Sequence, residues 1–190
     1  MAWLIQARRR LPPPLLIVAA LLCAGTNVAS AQDSLETEVK ATYLYKMAPF
    51  VSWPEGRAGA PDAFAICVIG TDPFGSLLDR AVTGQRAALR PIIIRRLAAA
   101  SREMPCQIAF LGGSRDQGVK EALRILRGTP VLTVTDGPAA PGIVDFELIG
   151  GRVRFHIDDE TAAESGLTIS SKLLSLAVSV KPRKPSGFGP

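Results

Sequence analysis

The chain has 190 residues, 47% of them hydrophobic and 21% charged, with 22 Lys and Arg against 17 Asp and Glu. Three of the basic residues are Arg8, Arg9 and Arg10 and three more, Lys181, Arg183 and Lys184, sit near the end, so the central body is close to neutral despite a sequence pI near 9.4. No basic stripe with interleaved aromatics is present, which argues against nucleic-acid binding, and a single histidine with widely spaced cysteines argues against a zinc centre.

In chain order, the first 31 residues read as an export leader. Arg8 to Arg10 form a basic region, Leu15 to Cys23 a short apolar run, and Ala29-Ser30-Ala31 an A-x-A cleavage site before Gln32. The run is too short to span a bilayer comfortably. Lipoprotein processing at Cys23 is disfavoured by the bulky Leu22 before it, and an uncleaved anchor is the competing reading. The expectation is a periplasmic protein cleaved after Ala31 and not membrane-spanning thereafter. Its single domain would cover residues 32–180, followed by a disordered basic tail at 181–190.

Leu35, Val39, Tyr43, Met47 and Phe50/Val51 recur every three to four residues and predict an amphipathic helix. Asp33 with Glu36 gives it an N-cap pattern, and Pro54 ends it near Trp53. Its aromatic stripe is read as packing on the sheet, with Trp53 covering an edge; a partner face is the competing reading. Ala63 to Gly70 is a continuous apolar run, the pattern of a strand buried on both faces. A helix follows through Phe74, Leu77, Leu78 and Ala81, then a strand over Arg86 to Leu97 rich in β-branched residues. Cys106 to Leu111 reads as a strand, Ser114 to Arg127 as a helix and Thr129 to Thr135 as a strand. Ile143 to Ile149 and Arg152 to Ile157 then form a hairpin across Gly150-Gly151. Asp158 or Asp159 caps a short helix ending at Gly166. A C-terminal helix carries the stripe Ile169, Leu173, Leu176, Ala177 and Val180. The expected fold is α/β: a mostly parallel sheet of about six strands with helices on both faces and an antiparallel edge hairpin.

Cys67 and Cys106 remain after leader removal, and an even pair in an oxidising compartment indicates a disulfide. Closing that loop of about 40 residues stabilises by about 4 kcal/mol in the chain-entropy model. A redox-sensitive bond is the other reading, although a redox-active pair normally has C-x-x-C spacing.

Catalytic equipment is sparse. His156 alternates with arginines on a strand and reads as a solvated side chain rather than a triad member; no G-x-S-x-G elbow supports any serine. Asp136 with Asp145 and Glu147 gives only a weak carboxylate-pair pattern. Asp158 to Glu160 reads as capping and first-turn charge. Gly112-Gly113-Ser114 precedes a helix without the spacing of a P-loop or dinucleotide fingerprint. The crevice at the carboxyl ends of the parallel strands is the generic ligand position.

Several segments taken together resemble the YfiR family of exported bacterial proteins. They are EVKATYLYKMAPFVSWP (Glu38 to Pro54), CVIGTDPFG (Cys67 to Gly75), CQIAF (Cys106 to Phe110), PVLTVTD (Pro130 to Asp136) and GGRVRFHIDDETAAESGLTISSKLLSLA (Gly150 to Ala177). The resemblance implies a non-enzymatic periplasmic repressor without cofactors or metal. It would bind the periplasmic domain of an inner-membrane diguanylate cyclase of the YfiN type and lower cyclic-di-GMP synthesis, and so biofilm formation. An outer-membrane lipoprotein of the YfiB type would relieve it. It also implies a homodimer and a redox-sensitive disulfide. Cys67 and Cys106 match the family's first cysteine pair; Pro141 to Gly151 contains no cysteine to match a second. Phe155, Glu160 and Ile169 are expected at the partner surface, because they lie on late, edge-like elements. The competing reading puts Phe155 and Ile169 in the core. The alternative function is a periplasmic small-molecule-binding sensor using the strand-end crevice.

Overall fold

The computed structural model describes residues 27–55 and 62–184. Two compact units divide the chain: Met1–Leu35, described from residue 27 as helix, and Glu36–Pro190, which holds the sheet. Most of the expected leader, residues 1–26, lies outside the described residues. Helix α1 (Asn27–Lys46) begins upstream of Asp33, so that residue is not its N-cap. A single 3-10 turn (Ala48–Phe50) then leads into β1 (Val51–Ser52).

The sheet region continues with β2 (Phe64–Gly70), α2 (Ser76–Val82), β3 (Arg86–Ala87), β4 (Arg90–Leu97), β5 (Ile108–Gly113), α3 (Val119–Leu126) and β6 (Leu132–Asp136). It closes with β7 (Val144–Ile149), β8 (Arg152–Asp158), α4 (Asp159–Glu164), β9 (Thr168–Ile169), α5 (Ser171–Leu174) and β10 (Val180–Lys181). The main sheet has the order β10-β8-β7-β6-β5-β2-β4-β3. Strands β4, β2, β5, β6 and β7 run parallel; β8 turns back antiparallel on β7 and β3 on β4, and β10 lies parallel to β8. The protein is thus mixed α/β with a mostly parallel sheet and one disulfide, Cys67–Cys106.

The apolar run of β2 is buried on both sides because its side chains alternate between two cores. Phe64, Ile66 and Val68 join Ile108, Phe110, Leu132, Val134 and Phe146 on one face, under Ala41 and Leu44 of α1 and Leu78 of α2. Cys67 and Ile69 join Ala109 and Leu111 on the other, under Ala122 and Leu126 of α3. Tyr43 packs edge-on against Phe155, ring centroids 5.6 Å apart, so the aromatic stripe of α1 lies on the sheet. Trp53 packs edge-on against Phe64 and donates from Nε1 to the Gln107 carbonyl at 3.2 Å, at the amino end of β5.

Tertiary pairing overrides periodicity in three places. The expected strand over Arg86 to Leu97 is broken by Ala88 and Leu89, whose φ values of 48° and 67° form a two-residue turn between β3 and β4. The helix expected from Ser114 starts only at Val119, because the Ser114 N–H donates to the Gln117 carbonyl and its Oγ accepts from the Gln117 N–H. The expected C-terminal helix is cut to Ser171–Leu174: Ile169 pairs with Val51 in a separate two-stranded ribbon, and the chain from Val178 joins the edge of β8. The first four residues of the expected disordered tail therefore have defined positions; residues 185–190 lie outside the described residues.

Candidate functional site

The late corner of the sheet is built from β8, α4 and the segment that follows α5. Asp158 caps α4, its carboxylate accepting from the Thr161 N–H at 2.8 Å. Asp159 and Glu160 occupy the first turn, where negative charge suits the helix dipole. All three carboxylates face the chain's own basic segment. Lys181 reaches Asp158 at 3.1 Å and Glu160 at 2.8 Å; Arg183 holds Asp159 with two donors at 2.7 and 2.8 Å; Lys184 reaches Glu160 at 2.6 Å. Hydrogen bonds from Lys181 and Lys184 pull the Glu160 carboxyl down to about 2.

Of the three residues expected at a partner surface, only Glu160 stands at the protein's outer layer, and there it is engaged by the two lysines. Phe155 and Ile169 are 3% and 4% exposed and belong to the core, because each points from its strand toward the aromatic and aliphatic side chains under α1. The apolar side chains exposed on the segment after α5 are Leu176 and Val178, at 60% and 51%; Leu148 and Ile149, at 46% and 42%, lie at the other end of the hairpin, where Leu148 pairs with Val153.

On the opposite face of the hairpin, His156 lies between Glu147, at 2.6 Å from Nε2, and Ser179, at 2.7 Å from Nδ1. This chain of contacts ties β7, β8 and the segment before β10 together. Asp136, Asp145 and Glu147 do not form a carboxylate pair, since each has its own partner. Asp136 binds Lys40 on the α1 face at 2.7 and 2.8 Å, and Asp145 accepts from the Thr135 hydroxyl at 2.6 Å on the other face. Burial pushes the Asp145 carboxyl up, partly offset by that hydrogen bond. Burial opposes the charge on Lys40, yet Asp136 and Glu36 more than offset it and hold the ammonium above its ordinary value. Among the described residues, no group of three or more His, Cys, Asp and Glu is arranged to hold a metal, and no helix is long and apolar enough to cross a membrane.

A second candidate is the carboxyl end of the parallel strands. Winding reverses at β2, with β4 on one side and β5 on the other, which makes this end the usual ligand position. Here the reversal point is pinched shut. The Thr71 N–H and hydroxyl both donate to the Gly113 carbonyl, at 2.7 and 2.9 Å, and a Cβ on Gly112 would fall 1.9 Å from the Thr71 carbonyl oxygen. Close approach rather than anion binding accounts for the glycine pair. The space that remains, about 320 Å³, lies beside the pinch and extends toward β6, lined by Thr71, Pro73, Gly112, Val119, Thr135 and Asp136 among others.

Cys67 and Cys106 join β2 to the lead-in of β5, with Cα atoms 5.9 Å apart. Both are buried under α3, the setting of a structural cysteine pair rather than an exchanging one. Beside them Gln107, fully buried, stitches the two strands: its Oε1 accepts from the Ala65 N–H and its own N–H donates to the Ala65 carbonyl.

The family model for YfiR/HmsC-like proteins matches residues 37–178. The chain belongs to the YfiR/HmsC-like family. In this YfiR/HmsC-like chain the matched span holds both cysteines, the hairpin and α4, and it ends at Val178, before Lys181, Arg183 and Lys184. Sequence reasoning missed that those three cations seat on Asp158, Asp159 and Glu160. The available signal was an acidic run and a basic run some twenty positions apart, with no intervening pattern to say that they meet.

Proposed function

We propose that this chain is a non-enzymatic periplasmic regulator that binds the periplasmic domain of an inner-membrane diguanylate cyclase of the YfiN type and lowers cyclic-di-GMP synthesis. An outer-membrane lipoprotein of the YfiB type would relieve the repression, and the protein would act as a homodimer. The family membership over residues 37–178 carries this reading. A repressor needs only to bind one conformation of the cyclase better than the other. Moving a balance from 1:99 to 99:1 takes about 5.5 kcal/mol of differential affinity, within reach of an ordinary interface without chemistry on this chain.

The exposed apolar side chains of the late elements, Leu148 and Ile149 at the hairpin tip and Leu176 and Val178 after α5, support a protein–protein role, as does the charged cluster at Glu160. Buried Phe155 and Ile169 would act beneath that surface by holding its shape. Pull-down of the exported protein with solubilised inner membrane is expected to recover a diguanylate cyclase. The variants Glu160→Lys and Leu148→Asp are expected to weaken that capture while the fold persists. Recovery of no cyclase, or capture by both variants equal to that by the wild type, would remove the reading.

The strand-end cleft favours a second reading, a small-molecule sensor. Thermal shift against a panel of periplasmic metabolites would show a ligand-dependent rise in Tm, abolished by filling the cleft with Ala139→Trp. A flat panel would leave the protein-binding reading alone.

A further inference from the structure

The edge of β8 is covered by seven residues, 178–184, with very little burial of their own. Val178 is exposed, Val180 is half-buried, and β10 is two residues long. Their attachment is directional instead. The Val178 N–H donates to the Phe155 carbonyl at 2.9 Å, and the Ile157 N–H to the Ser179 carbonyl at 3.0 Å. The Ser179 hydroxyl meets His156, and four ion pairs follow along Asp158 to Glu160. The cations of these pairs are largely open to water, and pairs open on that side contribute little each. A bare sheet edge, by contrast, is a template for an added strand.

One group on the body side makes the seat selective. The Asp159 side chain is 7% exposed and its carboxylate is held by the two-pronged guanidinium of Arg183, itself 42% exposed. Emptying the seat would strand a buried carboxylate, so whatever covers this edge must bring a fork of donors to that point. A lysine offers a point charge and fits less well. On either side, Asp158 and Glu160 take lysines two positions before and one after the arginine.

We infer that the β8 edge and the Asp158–Glu160 turn form a docking groove for an extended segment of Lys-x-Arg-Lys chemistry, which adds parallel to β8. In the resting chain residues 178–184 occupy it, and a partner segment of the same chemistry replaces them. The inference does not depend on which receptor the protein serves: groove and occupant both lie within this chain, and the test uses neither cyclase nor membrane. A tethered occupant competes at a roughly millimolar effective concentration, so a free peptide is held off until the strap is weakened.

The probe is a fluorescent peptide of residues 177–186 (AVSVKPRKPS), titrated by anisotropy against the full chain. The wild-type chain is expected to bind it weakly, Arg183→Ala about tenfold more tightly, and Lys184→Ala with a smaller gain of about threefold. A peptide with lysine in place of its arginine is expected to lose about tenfold on the Arg183→Ala chain. Tryptophan fluorescence melts check that each variant is folded; should Arg183→Ala unfold, Lys184→Ala, which keeps the Asp159 pair, decides alone. Equal affinity of the folded variants and wild type for the peptide, or indifference to the arginine-to-lysine change, would overturn the inference.

Discussion

From Phe64 to Ile69 and from Ile108 to Leu111 every residue is buried, with one apolar core above the strands and another below. At the far edge of the same sheet, β8 is closed by a segment that buries little apolar surface, Val178 being exposed and Val180 half-buried, and is held by backbone pairing and paired charges. Burial is non-directional, and it is lost only when the whole layer opens. Ion pairs are directional, individually weak and replaceable by any segment with the right charges. The contrast separates a region that keeps the fold from one that can exchange contacts while the fold persists.

The largest effect belongs to the centre. Phe110→Ala removes a ring packed edge-on against Phe74, centroids 4.7 Å apart, and is expected to cost about 3–5 kcal/mol in urea unfolding. A cost under 1 kcal/mol would mean that the two-sided core is not what holds the sheet. Next comes the disulfide. Denaturant titrations with and without reductant should differ by up to about 4 kcal/mol, and Cys106→Ser should reproduce the reduced curve. Identical curves would show that the bond adds nothing to the stability of the sheet.

At the edge the expected numbers fall. Asp159→Ala is expected to cost roughly 1–2 kcal/mol, because the half-exposed Arg183 returns to water when its partner is removed. Its sharper signature is faster tryptic cleavage after Arg183 with little change at central sites; uniform acceleration along the chain would count against a separate edge. The smallest effect is the acid response of Glu160. Its folded pKa, about 2, lies below the ordinary 4.5, so its contribution is fully present above pH 4.5 and is lost as the pH falls toward 2. A carboxylate NMR titration should place its midpoint near 2. A midpoint near 4.5 would mean that Lys181 and Lys184 do not hold it in solution.

The parallel strands were legible in the sequence because burial on both faces leaves a continuous apolar run, as in β2, and alternation marks a one-sided strand, as in β8. The cysteine pair was legible for chemical reasons, and the helix cap at Asp158 from its residue type. The candidate partner residues were not. Phe155 and Ile169 are apolar on late elements, a description that fits core and interface equally, and only their burial separates the two. The stripe from Ile169 to Val180 has helical spacing, yet pairing of Ile169 with Val51 and of Val180 with Ile157 draws it into two sheets.

The stretch that began as an aromatic stripe, Lys40 to Pro54, shows the same division. Periodicity alone predicted a helix and its apolar side; that this side rests on Phe146 and Phe155, and that Lys40 reaches Asp136 across 96 positions, came from the fold. What the sequence determined by itself was local: which segments are apolar, with what period, and where caps, turns and cysteines fall. The tertiary structure alone decided which charges meet. An ion pair leaves no periodic trace in a chain, and the seat of Arg183 on Asp159 exists only once the sheet has brought the edge of β8 to the segment around Lys181.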